Sequence, residues 1–265
     1  MNSYICRALS SKVYCYKLNT DVRQKLAPCP YRGPQLVIIS GCLTAMGGMD
    51  EGWNYVPNIL TYRQRQWIEE LPPNPSLCRN PAVVATKDGR HTNVILIGGY
   101  LGSYRGSTDV EVLNTHSKVW STLASLPKPL PHVRATVCGD ELYAMDCTGD
   151  GYACSLQSLL CCGQPTQSQS VPPTQVWTPL PSLPVQVSTP ATLSGQLVVI
   201  GGRQGWPSVK TIHQLVGGEW VEIGSMSSPR NECLAVGTHL NMVVVVGGYC
   251  GPHTCLDTVE VCTVV

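Results

Sequence analysis

The chain has 265 residues, of which 13% are charged; 25 glycines and 21 prolines are frequent, and 18 basic against 17 acidic residues leave a formal net charge of +1. Sparse charge with abundant turn formers suits a turn-rich all-β protein, and the lack of a basic cluster excludes a nucleic-acid surface. No apolar run approaches the length of a membrane span, and one hydrophobic core suffices at this size, so residues 1–265 read as a single domain.

Taken in chain order, the N-terminal residues Met1-Asn2-Ser3-Tyr4-Ile5-Cys6-Arg7 lack the apolar stretch of a signal peptide, which implies a soluble, cytoplasmic protein. Residues 1–27 hold two strands of a partial unit, Val13–Lys17 and Val22–Leu26, with no hairpin before them and no tryptophan. A repeating pattern then begins. Ser40-Gly41 turns into the apolar run Cys42–Met46, which closes at Gly47-Gly48; Trp67 and Leu71-Pro72 follow. The second copy reads Asp88-Gly89, Val94–Ile97, Gly98-Gly99, a strand over Asp109–Leu113, then Trp120 and Leu126-Pro127. In the third, Gly139-Asp140 leads into Leu142–Met145, and the degenerate Cys147-Thr148-Gly149 stands where the glycine pair is expected. Cys161-Cys162 opens a polar insertion over residues 161–175, rich in Pro and Gln and expected to be a flexible loop, before Trp177 and Leu180-Pro181. The fourth copy has Ser194-Gly195, Leu197–Ile200, Gly201-Gly202, Thr211–Leu215 and Trp220. The fifth has Thr238-His239, Val243–Val246 and Gly247-Gly248, and stops at a third strand from Thr258.

These copies end near residues 48, 99, 149, 202 and 248. Their period of about 50 residues is that of a repeat architecture. Each copy supplies a hairpin, a third strand and a Trp-marked fourth strand, which together make one four-stranded antiparallel blade. The glycine pairs mark places where a neighbouring backbone comes too close for a Cβ. Trp67, Trp120, Trp177 and Trp220 are structural wedges whose N–H groups need acceptors.

The ordered recurrence of hairpin, Gly-Gly, Val-Glu-Val strand and spaced Trp resembles the kelch repeat over nearly the whole chain. The resemblance implies a kelch-type β-propeller of five recognisable blades plus a partial sixth, either incomplete or closed by the termini.

The 14 cysteines show no Cys-x-x-Cys spacing. Cys6, Cys15, Cys42, Cys138, Cys233 and Cys262 fall at apolar strand positions, so reduced, buried thiols are expected. Cys250, His253 and Cys255 offer three ligands in one loop but no fourth, and neither a metal nor a cofactor is expected. No catalytic template is present: Gly149-Asp150-Gly151 lacks the third glycine of a dinucleotide loop, and Glu69-Glu70 and Asp140-Glu141 read as solvated acids. No segment shows a sustained helical period, so the dimerisation domain of ubiquitin-ligase adaptors has no counterpart here.

What remains is a loop face. The loops after the glycine pairs carry Trp53 and Tyr55, Tyr100, Tyr104 and Arg105, Arg203 and Trp206, Tyr249 and His253, and the hairpin entries carry Tyr31, Arg32, Arg79, Arg134 and Arg230. Such residues dominate binding hot spots. The kelch resemblance implies that Arg79, Arg134 and Arg230 line a pocket for an acidic protein or peptide, the alternative being that they hold loops by bonding carbonyls. The reading is a non-enzymatic interaction scaffold. Its alternative is a carbohydrate-binding propeller or a kelch-fold enzyme resembling sugar mutarotases or copper oxidases, although neither the convergent acids and arginines of the one nor the Tyr, Cys and His ligands of the other form a recognisable set.

Overall fold

Every apolar run that the sequence marks becomes the second strand of a tight hairpin, because alternate residues on both of its faces are buried against neighbouring strands and sheets. The computed structural model describes residues 4–9, 11–17, 23–74, 76, 80–88, 91–101, 105–130, 132–162, 176–186, 188–238, 241–251 and 254–264. It divides into two units, Met1–His132 with Cys162–Gln169, and Val133–Cys161 with Ser170–Val265.

The first unit opens with an antiparallel sheet of β1 (Tyr4–Leu9), β2 (Lys12–Lys17) and β3 (Arg23–Lys25). The sequence marks the last two strands; β1 is an addition, and it supplies the hairpin that was not expected. Two four-stranded sheets follow. One consists of β4 (Gln35–Ile39), β5 (Cys42–Met46), β6 (Ile59–Arg63) and β7 (Gln66–Leu71) in consecutive order. The other is built from β8 (Ala82–Asp88) and β9 (His91–Ile97), then, beyond a small ribbon of β10 (Tyr100–Leu101) and β11 (Arg105–Gly106), from β12 (Val110–Asn114) and β13 (Val119–Thr122). First strands lie side by side, β4 against both β1 and β8.

The second unit repeats the plan. Its first sheet is β14 (Arg134–Cys138), β15 (Glu141–Met145), β16 (Gly151–Ser155) and, after the helix α1 (Leu156–Cys162), the short β17 (Thr178–Pro179). Its second is β18 (Thr189–Leu193), β19 (Gln196–Ile200), β20 (Thr211–Val216) and β21 (Glu219–Ser225). The last has three strands, β22 (Leu234–Gly237), β23 (Met242–Val246) and β24 (Val259–Thr263). Five sheets therefore grow from the five hairpins and a sixth, three-stranded one from the N-terminus.

Helix α1 corrects the expectation that the insertion begins as a loop at Cys161. Ser155 caps it, its Oγ accepting the Ser158 N–H at 3.4 Å. Leu156 and Leu159 share the buried side of the helix. Two residues three apart are too short a signal for a helical period. Residues 163–175 of the insertion lie outside the described residues.

The glycine pairs are where backbones meet. Gly201 and Gly202 have φ of 58° and 116°. A Cβ on Gly202 would meet the Gln186 carbonyl at the entry to its own sheet, and one on Gly201 would meet the Arg230 carbonyl at the entry to the next. The Gly202 N–H donates to that same Arg230 oxygen at 2.9 Å. Gly48 and Gly248 repeat the approach, with Cβ positions 2.9 Å from Arg32 O and 2.7 Å from Asn231 O. Gly98 and Gly99 share the left-handed φ, 58° and 95°. In the degenerate copy the buried Asp146 takes over: its Oδ1 accepts the N–H groups of Thr148, Gly149 and Asp150 at 2.8, 3.0 and 3.0 Å, closing the turn with a side chain.

The tryptophans behave as wedges with one polar end. The Nε1–H of Trp67 donates to Ala27 O at 2.9 Å, that of Trp120 to Pro72 O at 3.3 Å, and that of Trp220 to Pro181 O at 3.0 Å. Each acceptor belongs to the segment leaving the last strand of the preceding sheet. Trp177 is buried just before β17.

The expectation of reduced thiols fails at one place. Cys6 and Cys15 are directly opposed on β1 and β2, with Cα atoms 4.2 Å apart, and form a disulfide. The register of an antiparallel hairpin brought them together, which spacing in sequence did not show. The thiols of Cys138, Cys233 and Cys262 are free and buried, as expected, whereas that of Cys42 is free but only half-buried.

Two measurements check this account. Gly205, also at positive φ, has nothing within 4 Å of its Cβ direction. In urea unfolding Gly205→Ala should therefore lose about 1 kcal/mol of stability to left-handed strain, whereas Gly201→Ala should lose a further 1–3 kcal/mol of stability, roughly, from the clash; equal losses would refute the close approach. Cys15→Ser should cost about 2.5 kcal/mol by reopening a short loop, and alkylation of the unfolded, unreduced chain should leave two cysteines unmodified.

Candidate functional site

The predicted arginine pocket does not assemble as expected. Arg230 is 2% exposed and is spent inside its own sheet. Its Nη1 donates to Gly247 O at 3.1 Å, and its Nη2 to Thr258 Oγ1 at 3.3 Å and Glu260 Oε2 at 2.8 Å. It is a latch between hairpin entry and third strand, not a free cation. Arg134 occupies a different slot, two residues after the positive-φ His132, whereas Arg230 stands two residues before the equivalent Glu232. Arg134 is half-buried as the first residue of β14. Arg79 lies outside the described residues, as do Tyr104 and His253.

The remaining predicted residues are spread over several loops. Tyr100 is buried, edge-on to the His132 ring at 5.1 Å. Arg105 is exposed on β11. The Nη2 of the half-buried Arg203 donates to Asn231 Oδ1 at 3.3 Å. Tyr249 pairs with Asn231 through both backbone groups, and Trp206 projects into solvent with 84% exposure. No group of three or more potential metal ligands exists among the described residues.

The first unit contains a crevice that the sequence did not advertise. It lies between the β4–β7 sheet and the β8/β9/β12/β13 sheet, over a floor of Met46, Ile59 and Leu96. Gly47–Met49 and Tyr55–Pro57 form one wall, Asn74, Ser76 and Asn80 the other, and Gln35 stands at the hairpin entry. The crevice encloses about 530 Å³ counting its open mouth.

Two features give it chemistry. The Ser76 hydroxyl donates to Glu111 Oε1 at 2.7 Å. Glu111 is 8% exposed on β12, and burial pushes its carboxyl above the usual range, against the Ser76 hydrogen bond and with help from Asp109. Ser76 is thus the contact between a buried carboxyl and the crevice.

The second feature is the loop Asp50–Asn54. Asp50 Oδ1 accepts the Asn54 N–H at 2.8 Å and Oδ2 its side-chain N–H at 3.2 Å. Trp53 rides on this tight turn at φ 64° with 63% exposure, and the Arg32 guanidinium lies 4.7 Å from its ring centroid. A large aromatic held out to solvent in a left-handed conformation gains nothing for the core.

Glu111, His213 and Glu260 occupy one slot of the repeat, opposite Leu96, Val199 and Val245. The sequence signal for Glu111 was therefore present in its Val-Glu-Val strand, where a charge sits among residues buried on both faces.

No protein-family model and no curated protein matches the chain. Among solved structures, that of YjhT superposes with a TM-score of 0.73 over 99% of this chain and 94% of its own, at 13% identity. The all-β sheets repeated along the chain are those of a β-propeller. At that identity the likeness shows the fold. The expectation of a non-enzymatic scaffold is corrected: the chain shares its fold with YjhT, and Arg230 is lost from the pocket that supported that reading. No helix among the described residues is long and apolar enough to cross a membrane.

The latch is testable. Glu260→Gln leaves the Arg230 charge buried and unpaired, which should cost about 3 kcal/mol at pH 7. Burial works against ionised Glu260, but the Ser227 hydrogen bonds and Arg230 outweigh it and hold the carboxyl below 4.5. A depressed carboxylate stabilises fully above its unfolded value and loses that contribution as pH falls through its folded one. The difference between wild type and variant in urea titrations should therefore shrink below about pH 4; a constant difference would refute it.

Proposed function

We propose that this chain is a kelch-type propeller that binds a carbohydrate in the crevice of its first unit, and that Glu111 and Ser76 assist proton transfer at the sugar's anomeric centre. The observation that carries the reading is the pairing of an amide- and hydroxyl-lined crevice over an apolar floor with a buried carboxyl reached through Ser76. Sugars present alternating hydroxyls and C–H faces. Asn74, Asn80 and Gln35 offer donors and acceptors for the former, and the floor and the neighbouring Trp53 offer apolar surface for the latter.

The chemistry follows from the charge state. A carboxyl with a raised pKa retains its proton closer to neutrality, where it can give a proton to a ring oxygen and take one from the anomeric hydroxyl. The step balances with those transfers: the protonated ring oxygen leaves C1 as the anomeric hydroxyl loses its proton and becomes the carbonyl, the C1–C2 bond turns, and the reverse transfers close the ring on the other face.

Ligand-observed NMR against a panel of reducing monosaccharides and acidic sugars should find one that binds. Saturation transfer between its anomers should be faster with the protein than without. Glu111→Gln and Ser76→Ala should reduce that exchange at least tenfold while binding persists, and Asn80→Ala should weaken binding. A protein that binds none of the panel overturns the proposal; binding with unaltered exchange in Glu111→Gln removes the catalytic part.

A further inference from the structure

We infer that the outer edge of β24 pairs with the same edge of a second copy of this chain, joining the two C-terminal sheets into one six-stranded sheet about a twofold axis. Four sheets of the protein have a fourth strand; the β22–β24 sheet has none among the described strands. The sister sheets show what the bare edge lacks. Val110 and Gly151 hold the slot of Val259, opposite Ile97, Met145 and Val246. Their carbonyls accept the N–H groups of Leu123 at 2.8 Å and Leu180 at 2.9 Å, from the segments leaving the fourth strands. The Thr258 carbonyl faces inward to the Gly247 N–H. By the alternation of an antiparallel ladder, the backbone groups of Val259, Val261 and Thr263 face outward.

The side chains tell the same story. Val110 and Val112 are 0% and 8% exposed, whereas the equivalent Val259 and Val261 are 46% and 58% exposed. This edge is nevertheless firmly held. Glu260 is tied to Arg230 and to the Ser227 N–H, and beyond the strand the Val264 N–H donates to Asn241 O at 3.1 Å. Val264 itself is buried in the same apolar cluster as Met226 and beside Ile223, filling the junction that a tryptophan closes elsewhere. No Lys, Arg or Pro guards the strand against pairing.

The occupant follows from the strand's self-complementarity. Two antiparallel copies centred on Val261 place Val261 opposite Val261, Val259 opposite Thr263, and Glu260 opposite Cys262. Every outward backbone group of β24 then finds a partner, three β-branched pairs form on one face, and no like charges oppose each other. A register moved by one residue pair in either direction loses hydrogen bonds at one end of both strands.

The test is sedimentation velocity of the intact chain over a wide concentration range, with a non-reducing gel to exclude covalent dimers through exposed Cys161 or Cys255. A reversible dimer is expected, with the amides of Val259, Val261 and Thr263 protected from hydrogen exchange only at concentrations where it forms. Val261→Lys sets two charges in direct opposition at a position already exposed, so the monomer stays folded while dimerisation weakens about tenfold or more; Val261→Ile should preserve it. A chain that stays monomeric overturns the inference, whether its edge amides exchange freely or are protected throughout. So does a dimer indifferent to Val261→Lys, which would use another surface.

Discussion

The contact on which the structure depends is that of the Gly-Gly backbone with the hairpin entries on either side. At Gly201-Gly202, one glycine abuts the entry of its own sheet at Gln186 and the other the entry of the next sheet at Arg230. This is backbone against backbone, so a side chain cannot move aside to relieve a substitution. It also fixes where the loops on either side emerge, and so the spacing of neighbouring sheets. Arg230 shows how much is tied to this point: its carbonyl accepts the glycine N–H while its guanidinium holds Gly247, Thr258 and Glu260.

Sheet faces complete the packing in a division of labour. Each tryptophan wedge buries apolar area and anchors its N–H on the segment leaving the previous sheet. The third strand contributes one interior position that is polar in three of the copies, as Glu111, His213 and Glu260. A buried polar group costs stability unless it is satisfied. Glu260 is satisfied by Arg230 and Ser227, and Glu111 accepts Ser76. Burial lowers the pKa of His213, against the pull of Glu222, so it stays neutral within its sheet. One repeat position thus serves as a latch in one sheet and, at the edge of a crevice, as an acid in another.

That divergence is how a repeat acquires a site. Loops after the glycine pairs tolerate change because the backbone contact, not the loop, holds the sheets. Asp50 and Asn54 close one such loop around Trp53, and Asp146 closes another without any ligand-facing group. The crevice of the first unit and the bare edge of β24 lie outside the elements that packing demands, and are therefore the places where function can be placed without loss of the fold.

The sequence alone determined the all-β architecture, the five hairpins and the strand edges, because glycine pairs and tryptophans at a fixed interval report local steric demands that each copy must meet by itself. It also marked the end of α1, Cys161 and Cys162, as insertion without revealing a helix, since Leu156 and Leu159 give one turn of periodicity. Tertiary structure decided the rest. Only register brought Cys6 opposite Cys15; only burial turned Arg230 from a binding cation into a latch. Arg134 and Arg230 looked alike beside their strands, yet they differ by four positions relative to the left-handed residue that starts each hairpin. Ser76 and Glu111, 35 residues apart, meet because the β8–β9 hairpin and the β10–β11 ribbon return the chain to the same sheet, and a pairing made by topology leaves no local trace for spacing to reveal.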